Sequence, residues 1–555
     1  MDNTLFNLVE DQMPKFNPSI ANGLAVEQMK DVESYIDQIF RCAALGFPPG
    51  LRYEGYVRCT PIEEYNEVTH KRNNKRLCEI ARSDLYLVKY NFSYTVDGKV
   101  EQIYPRYLYL PFCNDAGIIT LRGSRFMISP VLADRAISVE MDNIFIPLNC
   151  AKLKFEKVVQ HFKPLTGEGQ ESVDVVWSPV HNLMGKGRKD GQRPTIDAYS
   201  TLVHYLFCYY GIHETFARFA NTQVVVGADE VNEKTYPADQ WLIFHSIQLK
   251  PRGVRDKFYA SSNIRIAIPR DRYNLLTKSF IGGFFYIVDH FPDRVIPEYI
   301  AGPGSAADEL EAEKSLWMVL LGHVIFASET SEGELINKIR EHLSSLDEYI
   351  DEMIQDNLRR DGVMVDNIYS LFVHIIETLP SRLLNAGDNV ASMYGKRLTV
   401  IHYVLFDIIK AIMTVRFKLQ SATKKKPLTV DDINKIMNRE LGRDLITHIN
   451  RKHGEVTSIS SPGDNKIFKI TSNVVMQTKS GSGGRKTKAN LGDPSKALHA
   501  SIAEVGSYSN LPHSDPTGRS RLSPYLQLEE DGMIKRNPEF IELLEQVQAQ
   551  IQRGA

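Results

Sequence analysis

The stretch from Leu511 to Pro524, LPHSDPTGRSRLSP, sets two guanidinium groups, Arg519 and Arg521, among three prolines and a glycine that restrict the backbone. Arginines held in a fixed loop suit one chemistry above others, which is charge-assisted, often bidentate hydrogen bonding to phosphate or carboxylate oxygens. A second cationic stretch precedes it. QTKSGSGGRKTKANLGDPSK (477–496) carries Lys479, Arg485, Lys486 and Lys488 on a glycine- and serine-rich background before its first acid. A third is GDNVASMYGKRLTVIHYVLFDIIKAI (387–412), where Lys396 and Arg397 open what reads as a long buried helix. Cations at a helix start are opposed by its dipole, so they either turn outward to an anionic partner or make a solvated basic turn. KRNNKR (71–76) and GKGRKDGQRP (185–194) are further basic patches, for which a solvated surface is the competing reading.

Signatures of independent catalysis are missing. There is no H-E-x-x-H, no G-x-S-x-G elbow and no clustered D-x-D-x-D, and GKGRKDGQR lacks the closing G-K-[ST] of a phosphate loop. The six cysteines, Cys42, Cys59, Cys78, Cys113, Cys150 and Cys208, are far apart and form no C-x-x-C pair, so they read as reduced, mostly buried thiols of a cytosolic protein. No catalytic residue and no metal ligand is assigned to this chain. An enzyme whose acidic residues meet only in the fold is one alternative. A self-assembling viral structural or scaffolding protein that touches DNA is another.

The elements that must position these residues follow from length and pattern. At 555 residues the chain exceeds what one core serves, and 43% hydrophobic with 24% charged residues is an ordinary globular composition. Lys and Arg number 66 against 68 Asp and Glu, so any nucleic-acid contact rests on local patches. The N-terminus has no basic region followed by an apolar core, and SFIGGFFYIVDHF (279–291) and SLWMVLLGHVIFA (315–327) are shorter than the about 20 residues a bilayer span requires. Both read as core. Residues 1–45 read as helices and 52–148 as alternating strands with an Asp97-Gly98 turn. Residues 310–416 read as nearly all helical, and Thr429 and Asp432 have capping-box spacing ahead of a stop at Gly442. The expected class is α+β and multidomain.

PFCNDAGIITLRGSRFMISPV (111–131) reads by itself as a glycine-punctuated hairpin. Together with the stretches at 387–412 and 497–524, in this order, it resembles the N-terminal half of the β subunit of multisubunit DNA-dependent RNA polymerases. Asp115, Gly117, Leu121, Gly123 and Ser124 match that family's D-x-G-x-F-x-I-N-G-[ST]-E strand pair. Asp388, Lys396, Arg397 and Leu398 are similar to its D-x-x-x-x-x-[NK]-[KR]-R-[LV] element, with slightly longer spacing. Pro516, Thr517, Arg521 and Pro524 fall on the frame of H-P-T-H-x-G-R-x-C-P. The departures are Arg125 for the glutamate after G-[ST], Asp515 and Gly518 for the two histidines, Ser523 for the cysteine, and YLQLEEDG where E-T-P-E-G follows in the family.

The resemblance implies a β subunit split between polypeptides, as in giant bacteriophages, with this chain as its N-terminal fragment. Residues 1–149 and 387–455 would form a protrusion, 150–386 an inserted lobe, 456–527 a fork region at the edge of melted DNA, and 528–555 a tail helix at the junction with the other β fragment. Partners would be that fragment, the β-prime fragments, template DNA and product RNA, with no membrane. Magnesium would be held by a partner subunit rather than by this chain, which would not be active alone. Nucleic acid would be met by Lys396, Arg397, Lys479, Arg485, Lys486, Lys488, Arg519 and Arg521. The setting would be the host cytoplasm, with packaging in the virion left open by the sequence.

Overall fold

The computed structural model describes the chain apart from residues 1–23, 71–82, 97, 114–116, 122, 129, 135, 141–142, 148–151, 167–168, 179–199, 248–262, 293, 296, 303–304, 327–330, 347–349, 351, 385–391, 424–425, 443–444, 446–455, 459–474, 479–500, 506–518, 522, 524, 530–531 and 555. The basic patches at 71–76, 185–194 and 479–488, with Cys78, Asp115, Cys150 and Asp388, therefore lie outside the described residues. The chain is α+β and multidomain, as expected. It divides into two compact units, Met1–Arg135 with Asn389–Ala555, and Ala136–Asp388.

In the first unit, the helix Val32–Ala44 places Val32, Ile36, Ile39, Phe40 and Ala43 at helical spacing, all buried. That stripe packs on an antiparallel sheet of β1 (Leu51–Arg58), β2 (Leu85–Val96) and β3 (Lys99–Pro111). The Phe40 ring lies 4.7 Å from Tyr90 and 5.2 Å from Tyr53, centroid to centroid. Gly98, at φ +76°, turns β2 into β3 with Val96 opposite Lys99, the two-residue turn that the sequence calls for. Helix Pro61–His70 interrupts this strand-rich stretch. Its signal is the capping box T-P-I-E, in which Glu63 N–H donates to Thr60 Oγ1 (3.3 Å) and Thr60 N–H to Glu63 Oε2 (2.8 Å).

Three short strands follow, β4 (Ile118–Leu121), β5 (Ser124–Ile128) and β6 (Val131–Asp134). β4 and β5 make the expected hairpin, Leu121 opposite Ser124, with Gly123 at φ +81°.

The second unit is built on an eight-stranded sheet. Its strands are β7 (Ser138–Glu140), β8 (Asn143–Pro147), β9 (Lys152–Pro164), β10 (Glu171–Ser178), β11 (Ser200–Thr201), β12 (Val225–Gly227), β13 (Trp241–Ser246) and β14 (Arg265–Pro269). The order is β11-β10-β9-β13-β14-β12, with β7 and β8 joined through β9. Helices Leu202–Tyr210, Leu275–His290 and Ile368–Leu384 pack against β10, and helix Ala307–Ile325 packs against Leu202–Tyr210. The run 279–291 is buried from Ser279 to Val288, as expected of a core segment. Its Gly282-Gly283 pair has a packing reason, since a Cβ on Gly282 would stand 2.3 Å from Val173 Cγ1 and one on Gly283 2.7 Å from Val203 Cβ. Glu313, fully buried, accepts from the backbone N–H of Ile212 (2.8 Å) and Ala301 (3.2 Å) and from Trp317 Nε1 (2.9 Å). It satisfies the N-terminus of helix Ile212–Ala220.

The chain then returns to the first unit with β15 (Lys396–Thr399), helices Ile401–Val404 and Phe406–Thr423, and helix Val430–Glu440. Thr429 and Asp432 form the expected capping box, and the helix ends just before Gly442. Helix 406–423 packs on helix 32–44, and helix 430–440 on β3. There the buried Arg106 donates to Asn438 Oδ1 and, at 2.7 Å, to Asn434 Oδ1, while burial lowers its pKa to about 10. The last elements are β16 (Val456–Ser458), β17 (Val475–Thr478), a short helix at Ile502–Val505, β18 (Arg519–Arg521), β19 (Gln527–Leu528), β20 (Ile534–Lys535) and helix Pro538–Gly554. No helix among the described residues is long and apolar enough to cross a membrane.

Two imidazoles in the core of the second unit make it sensitive to acid. His204 and His342 are 2% and 6% exposed, and burial holds both pKa values down to about 4, against an ordinary 6.5. The unfolded chain binds these protons more tightly, so the stabilisation is complete above pH 6.5 and is lost as pH falls towards 4. Between pH 7 and pH 5 each imidazole is expected to remove about 2 kcal/mol. Urea unfolding should show His342→Leu with a shallower fall than the natural chain; identical slopes would contradict this.

Candidate nucleic-acid interface

The first unit brings widely separated segments into one four-stranded sheet, ordered β15-β6-β17-β18. β15 runs antiparallel to β6, with Lys396 opposite Asp134 and Thr399 opposite Val131. β17 runs parallel to β6, with Gln477 opposite Val131. β18 closes the order antiparallel to β17, with Arg519 opposite Gln477 and Arg521 opposite Val475. One backbone row therefore reads Thr399, Val131, Gln477, Arg519. β17 ends at Thr478, immediately before the glycine-rich segment that holds Lys479, Arg485, Lys486 and Lys488.

Two expectations are corrected here. Lys396 and Arg397 do not open a helix: they lie in β15, and the helix begins only at Ile401. The long helix expected there is also divided, at Leu405. Arg519 and Arg521 do not lie in a loop but in a strand. Arg-Ser-Arg has little strand preference of its own, so the pairing with Val475–Gln477 supplies what the local sequence lacks. Arg397 is 8% exposed and Lys396 half-buried.

β15 is held on its second edge as well. Leu398 N–H donates to Gly532 O at 2.9 Å, and Arg397 bridges to Met533. The Gln28 amide spans the end of the strand, donating from Nε2 to Leu398 O (3.2 Å) and accepting from Val400 N–H (2.7 Å). Just upstream, Met393 N–H donates to Ser501 Oγ at 2.9 Å and the Tyr394 hydroxyl to Glu504, which also meets Arg536 at 3.4 Å. Burial and the Glu504 carboxylate push the Tyr394 phenol well above its ordinary value. Sequence reasoning found none of Gln28, Ser501, Glu504 or Gly532. A lone glutamine or serine carries no pattern; only the glycine, in E-D-G, marks a turn.

The hairpin that begins this region is tied down by Asp84, buried at 2% exposure. Its Oδ2 accepts from Thr120 N–H at 2.7 Å, and its own N–H donates to Thr120 O at 2.7 Å. Burial and the nearby Asp84 carboxylate push the Cys113 thiol up to about 12, so it stays protonated. Cys42 and Cys208 are buried thiols outside any disulfide. Among the described residues no three of His, Cys, Asp and Glu gather closely enough to hold a metal ion.

What the sheet brings together is the backbone of strands that carry Lys396, Arg397, Arg519 and Arg521. Comparison with protein families decides whose chemistry it serves, for residues 1–549 match the model of the non-virion RNA polymerase subunit. The chain belongs to that family. A comparison with curated proteins finds no match. A non-virion polymerase subunit is a component of a virus-encoded RNA-synthesising enzyme that acts in the infected cell, and it works with other polymerase subunits. This sets aside the reading of a self-assembling particle protein.

Gly532 is the tightest point in this subunit's clamp. It sits at φ +84°, and a Cβ there would stand 2.3 Å from Leu398 O. Gly98 has a similar φ of +76° with nothing within 4 Å of its Cβ position. Gly98→Ala should cost about 1 kcal/mol, from backbone conformation alone. Gly532→Ala should cost about 3 kcal/mol or more, because the strand must also shift. Equal losses in chemical unfolding would show that the contact with β15 is not constraining.

Proposed function

We propose that this chain is the N-terminal fragment of a split β subunit and forms one wall of the polymerase's DNA cleft. The observation that carries the reading is the shared sheet. Two β-like patches far apart in sequence, around Lys396 and around Arg519, lie on it, and the glycine-rich basic segment starts from its β17 strand. The third patch, at 117–128, forms the hairpin one residue-pair upstream of β6 in the same unit. In this reading the first unit is the protrusion with the fork, and Ala136–Asp388 is the lobe.

Arg519 and Arg521 stand two residues apart along β18, a spacing that suits successive phosphates of a nucleic-acid strand. Lys396 contacts phosphate from β15, while the more buried Arg397 adds its charge beneath the contact surface. Lys479, Arg485, Lys486 and Lys488 take the strand at the fork. Nucleotidyl transfer uses magnesium ions, which polarise phosphate oxygens and are held by a β-prime partner. This chain binds template DNA and product RNA, orients them and excludes competing geometries; it makes no bond itself and is inactive alone. Helix Pro538–Gly554 meets the other β fragment, a role supported by the exposure of its apolar Val547 (44%) and Ile551 (66%).

Arg519→Ala with Arg521→Ala should lower RNA synthesis by the assembled polymerase at least about tenfold, from two lost charge-assisted contacts, without changing subunit composition. Full activity would remove β18 from the nucleic-acid path. Neutralising Lys479, Arg485, Lys486 and Lys488 together should reduce the slope of log affinity against log salt by roughly 3. An unchanged slope would take that segment out of the DNA contact.

A further inference from the structure

The second unit holds a cleft of about 770 Å³ that none of the preceding roles uses. It lies among the turn Pro297–Tyr299, helix Ala307–Ile325 from Glu309 to Leu320, and the start of helix Glu332–Leu346. Its floor is apolar. Ile300, Val319 and Leu320 are buried, and Leu316 and Ile336 are half-buried. Its rim is acidic, with exposed Glu298, Glu309 and Glu332 against one cation, Arg294. That cation is already engaged, since its Nη1 donates to His323 Nε2 at 2.8 Å and lies 3.7 Å from Glu332 Oε1. Glu298 and Glu309 have no side-chain hydrogen bond or ion pair among the described residues. An apolar trough below two unneutralised carboxylates is complementary to a segment that carries aliphatic side chains and a cation together.

We propose that this cleft docks an amphipathic segment of another subunit of the polymerase. Aliphatic side chains of that segment cover the floor, and its lysine or arginine reaches Glu298 and Glu309. The proposal uses the chain's membership of a polymerase-subunit family, and it stands whether or not the first unit lines the DNA cleft. A polypeptide is favoured over a small cation because the floor is lined by Ile300, Leu316, Val319, Leu320 and Ile336, and a cation alone would leave these side chains wet.

Tyr299, on the rim and 58% exposed, is the place to test it. A photoreactive benzoylphenylalanine at this position in the assembled polymerase should cross-link to one peptide of another subunit, rich in aliphatic and basic residues. Cross-links confined to this chain, to nucleic acid or to a small molecule would overturn the proposal, as would none. Glu298→Lys with Glu309→Lys alters only exposed positions. It should lower recovery of that same subunit about tenfold in co-purification, the equivalent of 1.4 kcal/mol, while circular dichroism stays unchanged. Recovery equal to that of the natural chain would also overturn the docking site.

Discussion

The first unit depends on how one short strand has its backbone satisfied. Lys396–Thr399 is only four residues long, yet it pairs with Val131–Asp134 on one edge and meets Gly532 and Met533 on the other. Buried N–H and C=O groups that lack partners cost as much as lost hydrogen bonds, so a strand placed here compels distant segments to come to it. The Gln28 side chain closes the remaining gap by imitating a strand at Leu398 and Val400. The N-terminal helices, the hairpin region and the C-terminal segment are thereby fixed to one another within the unit.

This arrangement removes a conflict that the sequence poses. Lysine and arginine at a helix start would meet the positive end of its dipole. With Lys396 and Arg397 in a strand and the helix starting at Ile401, the cations stand away from that end. The same sheet takes Arg519 and Arg521 in through β18 and sends the glycine-rich basic segment out from β17. A wall for nucleic acid requires cations held by something stiffer than a loop, and a shared sheet supplies that stiffness. The second unit reaches rigidity differently, with helix Leu275–His290 brought against Val173 and Val203 by two glycines.

What was legible in the sequence follows from the range of the forces involved. The stripe of helix Val32–Ala44, the alternation of β2 and β3, the turn at Gly98 and the capping box at Thr429 are local, and each could be read from a few neighbouring residues. The T-P-I-E box before helix Pro61–His70 was equally local and equally readable. β6, β15, β17 and β18 were not. VLAD, KRLT, VMQT and RSR are too short to show a period, and their state is decided by partners far outside any local window. For the candidate site, the chemistry of the basic residues was visible, whereas the sheet that gathers two of the three segments and the clamp of Gln28, Ser501 and Gly532 were not.

The central claim is that this sheet lies along the path of nucleic acid. Its most direct test is cross-linking from photoreactive nucleotides placed through the DNA and RNA of a stalled transcription complex, with mass-spectrometric mapping of the labelled peptides. The account predicts label in the peptides that contain Lys396, the segment from Lys479 to Lys488, and Arg519 to Arg521. Label on other subunits and elsewhere in this chain, with these three peptides unmodified at every probe position, would contradict it.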